Sequence, residues 1–360
     1  MQIHILTLLL LFQPFLACQQ HPQDIRPVSA GIDLQPEDGG VKCMAKAQLP
    51  TSDIIFQSAD GGRTWQDVSA GLPENSFVNC VFATGDEIIV GTENGLYRSS
   101  AAIPVPVWEK DFFCTEQITN IALGRNGPYF SSYGNGIFQE MPGTGIWIPM
   151  HNNLKDKTIR TVLETPDGTL FVGSDTGIFK SADGGKTWKQ VYNGGMVLNI
   201  VASGNILIGG GSRGVLRSTD GGEHWESVLN ENTMAKKTGL IQGRFVAILG
   251  TEDPTKISPE GITNILRVSP DGGKTWQRME QVQLPVEGMY DMDERLSQTR
   301  DIYDVVQVGE YLFCSFDTGI FRSSDQGKTW ELVFASTEKR KLSNLTVSGN
   351  VIYAVIGGGC

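Results

Sequence analysis

The sequence predicts an all-β fold: a seven-bladed β-propeller of four-stranded blades, its ring closed jointly by N- and C-terminal strands. Three observations carry that prediction. The phrase Ser-x-Asp-x-Gly-x-x-Trp ends at Trp65, Trp188, Trp225, Trp276 and Trp330, and worn versions end at Trp108 and Trp147; no other tryptophan occurs. Between the phrases lie short runs of alternating apolar, β-branched and aromatic residues, bounded by Gly, Asp and Asn turns, as strands at regular turn spacing should be. No long run has the 3.6-residue period and the caps of a helix. Four-stranded repeats of about 40 residues point to a propeller.

The unit ending at Trp188 shows the pattern most plainly. Ile159-Arg160-Thr161-Val162-Leu163 reads as a first strand, Thr165-Pro166-Asp167-Gly168 as a turn, and Leu170-Phe171-Val172-Gly173 as a second strand. After the turn Ser174-Asp175-Thr176-Gly177 comes a third strand, Ile178-Phe179-Lys180-Ser181. The Asp-Gly-Gly turn then leads into a fourth, Thr187-Trp188-Lys189-Gln190-Val191. By the same reading, first strands begin near Val41, Val78, Ile118, Ile159, Val197, Thr238, Ile302 and Leu342. Seven fourth strands imply seven blades. Two strands, Leu342 to Val347 and Val351 to Ile356, follow the last Trp without a third, while Val41 to Trp65 is too short for four. The C-terminal pair is therefore expected to complete the blade holding Ile54-Ile55-Phe56 and Trp65, which removes exposed sheet edges. Residues 41–47 find no place in this scheme.

Composition narrows the function classes. Hydrophobic residues make up 40% of the chain, enough for a sizeable core, and 43 glycines suit many tight turns. A formal net charge of −11, with no basic tract interleaved with aromatics, argues against non-specific binding to nucleic acid or anionic lipid.

Ile5 to Phe12 is an apolar run too short to span a bilayer. It runs on to Phe15-Leu16-Ala17-Cys18, which resembles a bacterial lipoprotein signal. The resemblance implies cleavage of residues 1–17, lipidation of Cys18 and, with Gln19 following, an outer-membrane anchor; the alternative is a plain secretory signal. Residues 18–40, rich in Gln, Pro, Asp and Gly, read as a flexible tether and 41–360 as the propeller. An exported chain meets an oxidising compartment, so disulfides are open to Cys43, Cys80, Cys114, Cys314 and Cys360, but no pairing is assigned. No Cys/His metal spacing occurs.

The tryptophan phrase resembles the Asp-box, or BNR repeat, of sialidases, sortilin-type receptor ectodomains, xyloglucan-cleaving hydrolases and photosystem II assembly factors. The resemblance implies the fold and leaves function open. Asp60, Asp183, Asp220, Asp271 and Asp325 are expected to accept hydrogen bonds from backbone N–H groups of their own turns, with Trp65, Trp188, Trp225, Trp276 and Trp330 packing beside them. A catalytic residue is needed once, not five times, so these are structural.

In a propeller the first-to-second and third-to-fourth turns share one face. The second-to-third turns and the blade-to-blade connections share the other, and the sequence spends its extra residues there: Glu252 to Thr263, Glu280 to Asp301, Asn230 to Lys237 and Ser336 to Arg340. Glu93, Tyr133, Asp175, Arg213 and Asp317 join this rim, with Tyr290 and Asp293 in the longest connection, as candidate ligand contacts. The expected function is non-catalytic binding of a protein or glycan at the cell envelope by a monomer, without cofactor, metal or nucleic acid. The membrane would be reached through the lipid anchor only. The alternative is an exo-sialidase or other glycoside hydrolase. A sialidase needs three substrate-holding arginines, a Tyr–Glu pair and an acid/base Asp. Arg160, Arg213 and Arg300 lie on the channel side, but no motif marks them as such a triad, and no catalytic residue is assigned.

Overall fold

The computed structural model describes residues 54–356 apart from 75, 85, 113, 115, 231–232, 251–263, 280–301, 317 and 337–341. These residues form seven four-stranded antiparallel sheets. Blade one pairs β1 (Ile55–Ser58) and β2 (Gln66–Asp67) with β27 (Leu342–Ser348) and β28 (Val351–Ile356), in the order β2-β1-β28-β27. Blade two holds β3 (Val78–Ala83), β4 (Glu87–Thr92), β5 (Gly95–Ser100) and β6 (Glu109–Lys110); blade three holds β7 (Ile118–Gly124), β8 (Gly127–Ser132), β9 (Gly136–Glu140) and β10 (Trp147–Pro149). Blade four comprises β11 (Ile159–Glu164), β12 (Leu170–Ser174), β13 (Gly177–Ser181) and β14 (Lys189–Tyr192); blade five comprises β15 (Val197–Ser203), β16 (Ile206–Gly211), β17 (Gly214–Ser218) and β18 (Glu226–Leu229). Blade six is β19 (Met234–Ile241), β20 (Arg244–Gly250), β21 (Asn264–Val268) and β22 (Gln277–Arg278), and blade seven is β23 (Ile302–Val308), β24 (Tyr311–Phe316), β25 (Gly319–Ser323) and β26 (Glu331–Ala335).

The expected closure is present: Ile55 pairs with Val355, and the Ile356 N–H donates to the Ile54 carbonyl at 2.7 Å. First strands touch one another in a complete cycle, β3-β7-β11-β15-β19-β23-β27 and back to β3, so they line the central channel.

The second strands show why the sequence lacks a solvent-facing alternation there. Side chains in a strand point alternately to opposite faces. In β4, Ile88 and Val90 pack towards blade one, whereas Ile89 joins Leu96, Ile118 and Phe130 towards blade three. In β12, Leu170 and Val172 pack with Tyr129 and Ile137 of blade three, and Phe171 packs with Val197 and Leu207 of blade five. Each second strand is buried on both faces, hence its nearly continuous apolar run.

Two details differ from the sequence-based expectation. Asn230 to Lys237 is not all connection, because β19 begins at Met234. The consecutive Lys236 and Lys237 mask the strand: Lys236 faces solvent and the Lys237 ammonium reaches the buried Asp304 carboxylate. The fourth strands of every blade but the third start one residue after the tryptophan, which closes the turn instead; only Trp147 lies within its strand.

All seven first strands share a β-bulge at the same point. The ladder slips between Val78/Cys80, Ile118/Asn120, Ile159/Thr161, Val197/Asn199, Ala235/Lys237, Ile302/Asp304 and Leu342/Asn344. Bulges bend a strand and re-aim the extra residue. A ring of seven therefore stands at the end of the channel nearest the second-to-third turns.

Candidate functional site

The two faces divide the polar residues differently. On the turn face, the Asp60 Oδ1 accepts from the Arg63 and Thr64 N–H groups at 2.9 and 3.0 Å, and its Oδ2 accepts from the Thr64 hydroxyl at 2.7 Å. Ser58 Oγ accepts from the Gly62 N–H at 2.9 Å and donates to Asp60. Asp183, Asp271 and Asp325 repeat these contacts with Thr187, Thr275 and Thr329; in the fifth blade His224 replaces the threonine, its ring 2.6 Å from Asp220. Bonds from the Thr64 hydroxyl and N–H hold Asp60 at about 2, and those from Thr187 and Thr329 hold Asp183 and Asp325 at about 2. Carboxylates stabilised in this way are poor proton donors or acceptors at neutral pH. The indole N–H of Trp65, Trp225, Trp276 and Trp330 donates to the glycine carbonyl of the same turn, whereas that of Trp188 donates to Met150 at 2.8 Å.

On the opposite face, two of the rim residues, Tyr133 and Asp175, come together, joined by Arg160. Asp175, in the turn between β12 and β13, accepts from Arg160 Nε at 2.8 Å and from the Tyr133 hydroxyl at 2.9 Å. The Arg160 guanidinium sits 4.6 Å from the Tyr133 ring centroid, a cation–π contact. Arg160 is the bulge residue of β11, so the bulge turns it to the channel mouth. The Asp175 bond keeps the Tyr133 phenol above its ordinary range. Next to this cluster, Asp156 accepts from Thr158 and from the Thr176 N–H and hydroxyl, the latter at 2.6 Å. Burial pushes Asp156 up, but these bonds outweigh it and hold it at about 2.

The other rim residues remain separate from that cluster. Glu93 is exposed, and its N–H donates to the Phe77 carbonyl at 3.2 Å. Arg213 donates to the Gly194 carbonyl at 3.2 Å. Asp317, Tyr290, Asp293, Arg300 and Cys18 lie outside the described residues, as do Cys43, Cys360 and residues 41–47. Among the arginines expected on the channel side, Arg160 is committed to Asp175, and Arg213 bonds the connection that leads into its own blade.

The sequence reading overlooked a charged seam. Asp304, fully buried in β23, accepts from the Lys237 ammonium of blade six and from the Leu345 N–H of blade one at 2.9 Å. Beside it, a cavity of about 510 Å³ is lined by Lys237, Leu240, Val306, Gln307, Gly309 and Val347. Its polar side chains are already paired: Gln307 donates to Gly309 and accepts from the Gln242 N–H, and Lys237 bonds Asp304. The candidate site is placed at the Tyr133 rim, where an exposed aromatic ring and charged side chains of two blades stand together. Cys80, Cys114 and Cys314 are free thiols. Among the described residues no group of three or more His, Cys, Asp or Glu is placed to hold a metal ion.

No family model and no curated protein matches the chain. Among solved structures it is similar to YCF48 from Cyanidioschyzon merolae, at 14% identity over 79% of this chain and 96% of that one, TM-score 0.56. It is also similar to YCF48 bound to D1 peptide, at 12% identity over 78% and 95%, TM-score 0.53. A third likeness is to the GH74 xyloglucanase from Xanthomonas campestris, at 16% identity over 77% of this chain and 47% of that one, TM-score 0.53. At these identities the likeness establishes the propeller fold.

Proposed function

We propose that this propeller is a non-catalytic binding module that holds a protein or glycan ligand on the face of its second-to-third turns. In this reading the tryptophan phrases are Asp-boxes, and lipidated Cys18 carries the module at the outer membrane of a bacterial envelope. The observation that carries the proposal is the Tyr133–Arg160–Asp175 cluster. Residues from two blades are locked together at the channel mouth, with Tyr133 41% exposed, while the repeated Asp residues opposite are consumed by their own turns. Binding sites need such pre-set side chains, because ordering them on contact costs affinity. One propeller of similar architecture is bound to a D1 peptide, which supports a protein ligand over a glycan.

The test is affinity capture from an envelope extract with the full chain, comparing it with Tyr133→Ala/Asp175→Ala. A specific protein or glycan is expected on the parent and lost from the variant; identical capture would refute the assignment of the face. Turnover of a fluorogenic sialoside or xyloglucan substrate would refute the non-catalytic reading. Incorporation of an alkyne fatty acid, abolished by Cys18→Ser, tests the anchor.

A further inference from the structure

We infer that the partner on this face is a cationic protein segment rich in apolar side chains, gripped by alternating rings and carboxylates of blades two and three. The inference rests on the binding reading above and deepens it. Large apolar side chains exposed among the described residues are not spread around the ring: all but Leu240 and Leu332 lie in or beside blades two and three. On the face in question they are Phe112, 86% exposed, Phe77, 51% exposed, and Tyr133.

Backbone and side-chain bonds show that these rings form one band. Glu93 lies beside Phe77 through its N–H bond to the Phe77 carbonyl. The same hairpin receives the chain just before Phe112, because the Asp111 N–H donates to the Leu96 carbonyl at 2.9 Å. Glu116, four residues on, accepts from Asn135, which belongs to the Tyr133 turn. Phe77, Glu93, Phe112, Glu116 and Tyr133 therefore follow one another along the rim, with exposed Glu74 near the start.

Charge selects among occupants. The cations gather at the Tyr133 end, where Arg160 lies on the Tyr133 ring and pairs with Asp175. There the carbonyl of exposed Lys157 accepts from the Gly134 N–H, and exposed Lys155 stands nearby. From Phe77 to Glu116 the band is acidic, within a chain of net charge −11. An anionic glycan would be repelled by Glu74, Glu93 and Glu116. A neutral glycan would stack on the rings and hydrogen-bond the carboxylates, but would not neutralise their charge. Lys or Arg side chains meet both, over ring faces and beside carboxylates, while neighbouring apolar groups cover the exposed rings.

The experiment is fluorescence anisotropy of the full chain with a labelled peptide, acetyl-(Lys-Leu)3-amide, against its Glu-Leu counterpart. The Lys-Leu peptide is expected to bind, more weakly as salt rises. Phe112→Ala/Glu93→Gln should weaken it about tenfold, as loss of an aromatic anchor does. Leu123→Ala/Glu310→Gln, on the turn face, should leave it unchanged. Equal weakening by both variants would mean diffuse attraction to an acidic chain and would overturn the proposal. Failure of the Lys-Leu peptide to bind, or its displacement by a neutral oligosaccharide that itself needs Phe112, would also overturn it. Envelope capture that still depends on Tyr133 and Asp175 in those cases would leave the binding reading standing.

Discussion

The Asp304 seam yields a prediction whose two halves differ in size. Asp304 is fully buried, and its Oδ2 accepts both the Lys237 ammonium and the Leu345 N–H, joining blades six, seven and one. Its Oδ1 accepts from the Val305 N–H at 2.7 Å. Lys237 is different, with 37% of its side chain exposed. Lys237→Met leaves a dry carboxylate without its cation, and removing one partner of a buried pair costs about 3–5 kcal/mol. Asp304→Asn removes the charge but keeps an amide oxygen for one backbone donor, and the freed ammonium turns to water. The loss is then about 1–2 kcal/mol, the range of a weakened buried hydrogen bond. In the double variant most of the first cost should vanish, because no unpaired buried charge remains. Equilibrium denaturation in urea measures all three. Lys237→Met should lower Tm by on the order of 10 °C. If Lys237→Met costs no more than Asp304→Asn, or the two effects add, the argument from desolvation is wrong.

Gly222→Ala should cost about 2–4 kcal/mol, since φ is +80° and the new Cβ would lie 2.3 Å from Phe171 Cε1. Gly221→Ala, at φ +71° with nothing within 4 Å, should cost only about 1–2 kcal/mol, and urea denaturation separates them. The turn carboxylates Asp60, Asp183 and Asp325 are held near 2, and Asp220 and Asp271 are also lowered, by bonds from their own turns. Because the folded values lie below the ordinary ~3.9, their stabilisation is full above that value. It is lost as pH falls from roughly 4 towards 2. Circular dichroism melts should therefore show Tm dropping across that window, and less steeply in Asp183→Asn; a flat profile would contradict this. Burial pushes the Cys80 and Cys114 thiols up to about 12 and raises Cys314 as well. Iodoacetamide at pH 8 should label them only after unfolding, since the thiolate is the reacting form, and mass spectrometry reads the result.

Much of this architecture was legible in the chain itself. The phrases ending at Trp65, Trp188, Trp225, Trp276 and Trp330 count blades because their chemistry is local: Ser, Asp, Gly and Trp of one turn bond one another within a few residues. Alternating apolar runs located the strands, and the lone pair Leu342–Ser348 and Val351–Ile356 announced the closure with Ile55–Ser58. Only the tertiary structure decided what crosses between blades. Tyr133, Arg160 and Asp175 meet although 42 positions separate the first from the last, and Lys237 meets Asp304 across 67. The bulges that turn Arg160 to the channel leave no mark in the pattern, because the extra residue is Asn, Thr, Arg, Leu, Lys, Tyr or Ser in turn. Scaffold bonds close within a turn and so are written in neighbouring residues. The rim depends on how blades stack, a relation between distant residues that the local sequence does not encode.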